Sequence, residues 1–160
     1  ICCRDQQIVT AKGLVLGNTS TFVRKFEKVV MKIAFEILKL KLVGEATGGT
    51  YLLNSDQYVE GGDFMAISKD LSLMQIGIRS NIQGAKFLMD NDLLGTRRFG
   101  VVRDEKDRDQ QRMHLDTIFN LIDEKNVIML DFDDPSLPKD IRRDIDIYVQ
   151  DNTTKAYQLT

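Results

Sequence analysis

Apolar positions along the chain switch between a period of two and a period near 3.6, and the switches mark a succession of short elements. Gln7-Ile8-Val9-Thr10 and Gly13-Leu14-Val15-Leu16 read as two short strands about a Lys12-Gly13 turn. Asn18-Thr19-Ser20 is a cluster of helix-capping residues. From Phe22 onward, Val23, Phe26, Val29, Val30, Ile33, Ala34, Ile37 and Leu38 recur at helical spacing, which predicts a helix with one buried face, ended by Gly44. Gly48-Gly49 then predicts a turn before a strand at Thr50-Tyr51-Leu52-Leu53.

A second unit repeats the order. Phe64 to Ile67 and Leu73 to Ile78 predict strands joined by the polar corner Lys69-Asp70, and Ser80 or Asn81 caps a helix running to Leu94, which Gly95 stops. Phe99 to Val102 closes the unit as a strand. The charged run Arg103 to Arg112 predicts an exposed loop or short helix with a solvated face. Strands follow at Ile118 to Ile122 and Val127 to Leu130 about a Glu124-Lys125-Asn126 turn, then a loop from Asp131 to Lys139 with both prolines. A last strand spans Ile145 to Val149, and Asp151 to Lys155 reads as a loose tail. Strand-strand-helix-strand, seen clearly once and less completely a second time, predicts an α/β fold with mixed sheets rather than a doubly wound parallel one.

Bulk composition narrows the picture. In 160 residues, 42% are hydrophobic and 29% charged, enough for one modest soluble domain with a core. The net charge is -2 with both signs interspersed, which argues against a nucleic-acid surface. No run of 18 apolar residues exists to span a membrane. The adjacent Cys2 and Cys3 build no disulfide framework, so a reducing, cytoplasmic setting is expected. The chain starts at Ile1 without a leader-like segment and reads as cut from a longer one. Glycine-rich phosphate cradles are absent, and one histidine with scattered carboxylates lacks zinc-ligand spacing. Asp131, Asp133 and Asp134 lack the glycine and closing glutamate of a calcium loop. Neither a metal nor a cofactor is expected.

The candidate chemistry sits in short motifs. Arg4-Asp5, Glu60-Gly61-Gly62-Asp63 and His114-Leu115-Asp116-Thr117 put several acidic groups and the only histidine into turn-like settings. Such a set suits a planar cation: a guanidinium offers five donors in a fork that carboxylates match two bonds at a time. A histidine can move the proton that amidine cleavage needs. Each motif also has a plain structural reading: a surface ion pair for Asp5, a glycine turn braced by Asp63, a core histidine for His114.

Taken together in this order and spacing, the motifs resemble those of the arginine deiminases, within the guanidine-modifying superfamily. Arg24 follows Asp5 by 19 residues and Arg79 follows Glu60 by 19, offsets similar to those of the family's carboxylate-binding arginines. The resemblance implies a partial α/β propeller, pentein-like, of strand-strand-helix-strand modules around a central site, with residues 1–160 one partial catalytic domain truncated at both ends. It implies hydrolysis of L-arginine to L-citrulline and ammonia without cofactor. Asp5 and Asp116 would grip the guanidinium, Glu60 would bond it or help move protons, and His114 would serve as acid and then base. Arg24 and Arg79 would hold the α-carboxylate. The family's nucleophile is a cysteine far beyond the histidine motif, whereas here 46 residues follow His114 and none is cysteine. Cys2 and Cys3 lie on the wrong side of the family order and read better as small buried residues.

Three readings stay open at this level: a catalytic portion of an arginine deiminase, a related agmatine deiminase, dimethylarginine hydrolase or amidinotransferase, and a non-catalytic arginine-binding module. A partial propeller would expose sheet edges and an apolar face, so another segment of the parent chain, another chain or a second copy is expected to cover them.

Overall fold

The computed structural model describes residues 4–46, 56–138 and 141–160. The turn at Gly48-Gly49, the strand expected at Thr50 to Leu53, and Cys2 and Cys3 lie outside the described residues.

Two copies of one unit organise the fold. In the first, β1 (Gln7–Thr10) pairs antiparallel with β2 (Gly13–Leu16), and α1 (Lys25–Ile37) carries the chain over to β3 (Leu42–Glu45), parallel to β2. In the second, β4 (Phe64–Ala66) pairs antiparallel with β5 (Leu71–Ile76), and α2 (Ile82–Asp90) leads to β6 (Arg98–Arg103), parallel to β5. The hairpin-then-crossover order is the same in both, so the repeat that the sequence outlines faintly in its first third is complete there. The class is α/β with mixed sheets.

The second sheet extends beyond its unit. β9 (Asp144–Gln150) pairs antiparallel with β6, and β10 (Tyr157–Leu159) with β9, giving the order β10-β9-β6-β5-β4. The tail expected to be loose therefore turns at Asp151 and returns as an edge strand. A separate hairpin joins β7 (Phe119–Leu121) to β8 (Val127–Met129). Helix α2 starts where its capping residue predicts: the Asn81 side chain accepts from the Gly84 N–H at 2.9 Å, satisfying one of the open donors of the first turn.

The main core gathers Ile8 and Val15 from the first sheet, Ala85, Leu88 and Met89 from α2, and Met74, Phe99 and Val101 from the second sheet. A smaller cluster places Leu115 and Ile118 on Met65 and Val102. That second cluster fixes the segment carrying His114 and Asp116 against β4 and β6.

Two expectations need correction. Gly44 does not end a helix; it sits in β3, while α1 stops at Ile37 and Lys39 takes a positive φ of 53°. A Cβ at Gly44 would lie 2.6 Å from Leu93 Cδ1, so the glycine serves close packing of strand on core. The apolar stripe of α1 is also not buried. Phe35 is enclosed, but Phe26 is 68% exposed, Ile33 52% and Ile37 74%. The helix lies on the body through its charged side instead: Lys28 donates to the Ala46 carbonyl at 2.6 Å, and Lys32 meets Glu45 at 2.8 Å. Helical spacing identifies an apolar face but not the surface that covers it. No helix among the described residues is long and apolar enough to cross a membrane.

Candidate active site

Residues Gly61–Asp63 form a single 3-10 turn between the β-bridge at Val59 and strand β4, and Leu115–Thr117 form another, directly after His114. The two turns pack on each other, and both glycines are required for the approach. A Cβ at Gly61 would fall 1.9 Å from the Arg4 carbonyl oxygen, and one at Gly62 would fall 2.6 Å from His114 Nδ1. The Gly-Gly pair is thus a docking surface for the N-terminal turn on one side and the histidine ring on the other.

Three of the sequence candidates come together there. Glu60, fully buried, holds His114 Nε2 at 2.9 Å through Oε2 and accepts from the Ser20 N–H at 2.8 Å and the Ser20 hydroxyl at 3.1 Å through Oε1. Asp5 Oδ1 lies 3.9 Å from the same imidazole nitrogen and accepts from the Gly62 N–H at 3.3 Å. The donor atoms of Asp5, Glu60 and His114 lie within 4.8 Å of one another. A trio of that type can hold a cation. Here the imidazole is hydrogen-bonded to Glu60, and Asp5 Oδ2 meets the Arg24 guanidinium at 2.9 Å.

Asp63 braces the arrangement. Its Oδ2 accepts from the Ser80 N–H at 3.1 Å and its Oδ1 from the Leu115 N–H at 3.3 Å, tying both turns to the start of α2. Ser80, a candidate helix cap in the sequence, accepts instead from the Glu60 N–H at 2.9 Å, leaving the cap to Asn81. Ser20 likewise serves Glu60 rather than α1. Both serines were legible only as capping residues, since their long-range partners leave no local signal.

Asp116 points to a different partner: its Oδ2 is 2.6 Å from Arg4 Nε at the half-open edge of the site. Arg24 is spent on Asp5 and on Glu27, at 3.1 Å from Nη2. Arg79 has three uncharged partners: the Thr21 hydroxyl at 2.7 Å, the Gln110 amide oxygen at 2.9 Å and Met113 Sδ at 3.1 Å. The two arginines therefore stand on opposite terms, one held between carboxylates and one with its charge directed at neutral acceptors.

Electrostatics follow from burial and pairing. Burial pushes the His114 imidazole down, but the Glu60 hydrogen bond and the charges of Asp63, Asp5 and Glu60 prevail, and its pKa is raised. Burial pushes Glu60 up, and the bonds to His114 and the Ser20 N–H, with the His114 and Arg79 charges, hold it below the usual range. Burial dominates at Asp63, whose pKa rises to about 7.

The charged run before His114 departs from expectation at two positions. Asp104 and Asp107 are buried, and Arg143, itself enclosed, donates to Asp104 at 2.9 Å and to the Arg112 carbonyl at 3.0 Å. Arg112 in turn holds Asp107 at 2.8 Å. Glu105, Lys106, Arg108, Gln110 and Gln111 are exposed, as expected of a solvated loop, and Gln110–Arg112 form a short 3-10 helix. Asp104 and Asp107 instead turn inward into a clamp on the approach to the histidine turn, closed by an arginine 29 positions beyond His114.

Solved structures with the same fold share less than a quarter of their residues with this chain. The DDAH of Pseudomonas aeruginosa, solved with citrulline, aligns with a TM-score of 0.63 at 18% identity, covering 79% of this chain and 45% of its own. The N-terminal domain of ArgZ, a cyanobacterial arginine dihydrolase solved with substrate, gives 0.59 at 19%, covering 79% and 42%. SxtG, an amidinotransferase from Microseira wollei, gives 0.61 at 15%, covering 87% and 45%. The chain thus spans less than half the length of each. No curated protein sequence matches it. The family model for arginine deiminase matches residues 2–143, nearly the whole chain, and with the motif residues gathered as above the chain belongs to the arginine deiminase family.

Proposed function

We propose that this chain is the guanidinium-binding part of an enzyme that hydrolyses L-arginine to L-citrulline and ammonia. The observation that carries the reading is the buried Glu60–His114 pair with Asp5 beside it, in a chain that the arginine deiminase family model matches over residues 2–143. Support also comes from the names of similar structures: a DDAH solved with citrulline, an arginine dihydrolase solved with substrate and an amidinotransferase.

In this reading Asp5 and Asp116 receive the guanidinium nitrogens, and two carboxylates keep it charged and its central carbon electrophilic. A cysteine thiolate supplied from outside residues 1–160 attacks that carbon. His114, its proton held available by Glu60, protonates the departing ammonia, leaving an amidino-thioether. His114 then takes a proton from water, which adds to the same carbon. Collapse expels the thiolate and yields the ureido group of citrulline. Glu60 stays ionised throughout and fixes the ring. Arg79, whose partners are uncharged, holds the α-carboxylate, and Arg24 is the second cation within reach. The partners are the substrate and the segment bearing the thiol, in a cytoplasmic setting.

The test is citrulline release from L-arginine by the full-length parent protein, with His114→Ala and Glu60→Gln as variants. The reading expects release to fall by orders of magnitude in both. Undiminished release in the folded His114→Ala protein would contradict it.

A further inference from the structure

Two of the three uncharged groups that hold the Arg79 guanidinium come from one short segment. Gln110 opens the 3-10 turn Gln110–Arg112 and accepts from Arg79 Nη2 at 2.9 Å, and Met113, the next residue, accepts from Arg79 Nε at 3.1 Å through its sulfur. The hydrogen-bond geometry of a single 3-10 turn is poor, so its shape depends on outside support. Here the support is buried and ionic. Arg112 makes two bonds to Asp107, Nε to Oδ2 at 2.8 Å and Nη2 to Oδ1 at 3.2 Å. Arg143 donates to the Arg112 carbonyl at 3.0 Å and to Asp104 at 2.9 Å, and Asp104 accepts from the Asp107 N–H at 3.1 Å. Gln75, fully buried on β5, donates to the Met113 carbonyl at 3.0 Å.

We propose that the Asp107–Arg112–Arg143 cluster is the positioning device for Arg79: it fixes the turn from which Gln110 and Met113 aim that guanidinium, and so sets the preference for guanidines that carry a carboxylate. This rests on the reading of Arg79 as the α-carboxylate ligand. A buried ion pair gains little over an apolar replacement but is costly to break, so it serves better to fix one geometry than to add stability. The two bonds between Arg112 and Asp107 fix the guanidinium plane as well as its position, which one ammonium could not do. The chemistry of the holders fits the same purpose. A carboxylate on Arg79 would neutralise it and compete with the substrate's own carboxylate. An amide oxygen and a thioether hold it in place and leave its charge to the ligand. Gln110, Arg112 and Asp107 touch neither Glu60 nor His114, so their effect falls on the carboxylate end of the substrate rather than on the guanidinium end.

The test separates positioning from general support by comparing two ligands. L-arginine and agmatine, its decarboxylated counterpart, are titrated calorimetrically into the wild-type chain, Gln110→Ala, Arg112→Met and Arg112→Lys. The wild type binds L-arginine more tightly than agmatine. Gln110→Ala and Arg112→Met weaken L-arginine about tenfold, the loss of one charge-assisted hydrogen bond, and change agmatine by less than about twofold. Arg112→Lys, which keeps the charge on Asp107 but not the second bond, lies between wild type and Arg112→Met for L-arginine. Equal weakening of both ligands in a folded variant would overturn the inference, because that is what a merely structural cluster gives. Should Arg112→Met fail to fold, Gln110→Ala, at an exposed position, decides: an unchanged preference for L-arginine overturns the inference there. A wild type without that preference would reject Arg79 as the carboxylate ligand and the inference with it, leaving the guanidinium site standing. Binding of neither ligand by the folded wild type would reject the proposed function itself.

Discussion

His114 and Glu60, 54 positions apart in sequence, meet side chain to side chain at 2.9 Å with almost no exposure to solvent. The pairing holds only because Gly62 leaves room for the ring and Ser20 satisfies the other carboxylate oxygen. It sets the histidine's charge. Burial alone would favour a neutral imidazole, and the Glu60 hydrogen bond, with the charges of Asp63, Asp5 and Glu60, reverses that.

Glu60→Gln should therefore lower the His114 pKa. Since His114 is the only histidine, its Cε1 proton gives a single resonance that can be followed by NMR through a pH titration. The wild type titrates above the ordinary value of 6.5, and the variant titrates lower than the wild type because the Glu60 hydrogen bond and charge are gone while burial remains. An unchanged midpoint would remove Glu60 as the source of the shift.

The same groups set the dependence of stability on pH. His114 has a raised pKa in the folded state, so its contribution is whole below 6.5 and is lost as pH climbs through the raised value. Asp63, at about 7 when folded against 3.8 ordinarily, favours the folded state when protonated, and that benefit fades between those two values. Glu60 is depressed, so its contribution is present above 4.5 and is lost as pH falls through the lowered value. Thermal unfolding followed by circular dichroism should give the highest Tm near about pH 5 and a fall toward about pH 8. Asp63→Asn should flatten that fall.

Gly62→Ala adds a methyl 2.6 Å from the His114 ring. The ring must turn away from Glu60 or the two turns must separate, at about 1–3 kcal/mol, the range of core overpacking. Chemical denaturation measures the loss, and the NMR titration above should show His114 returning toward its ordinary pKa.

Arg143→Met leaves Asp104 without the guanidinium that donates to it and opens the clamp ahead of the histidine turn. Removing one partner of a buried ion pair costs about 3–5 kcal/mol. Denaturation should show a loss of that size, whereas Arg142→Met, at an exposed pair with Asp133, should change stability by less than about 1 kcal/mol.

Phe35→Ala and Phe26→Ala test the inverted helix. Phe35 is 6% exposed and its truncation should cost about 3–5 kcal/mol. Phe26 is 68% exposed, and its truncation should leave the Tm of this chain nearly unchanged. Equal losses at both positions would mean that the outer face is buried in solution.

Much of this was legible in residue order because it is local. Period-two runs place β1, β2, β4 and β6, and the Asn81 cap places the start of α2, each determined within a few residues. The trio Asp5, Glu60 and His114 was legible only through a family resemblance, since nothing in a single chain says that turns so far apart will pack together. What escaped depends on distant partners. Arg143 clamps two buried aspartates of an otherwise largely exposed charged run from 31 residues past Arg112. Ser20 and Ser80 look like caps and serve Glu60. The stripe on α1 has helical spacing, but periodicity does not reveal that the charged side would pack inward.

The central claim is that these residues form a guanidinium site, and it is tested most directly by calorimetric titration of this chain with L-arginine and with L-citrulline. The two ligands share backbone, carboxylate and length and differ in a charged guanidinium against a neutral ureido group. The account predicts saturable binding of L-arginine that weakens at least about tenfold in Asp116→Asn, with citrulline bound far more weakly than arginine, because carboxylates grip the cation. Equal binding of the two ligands, or no binding of arginine by the folded chain, would contradict it.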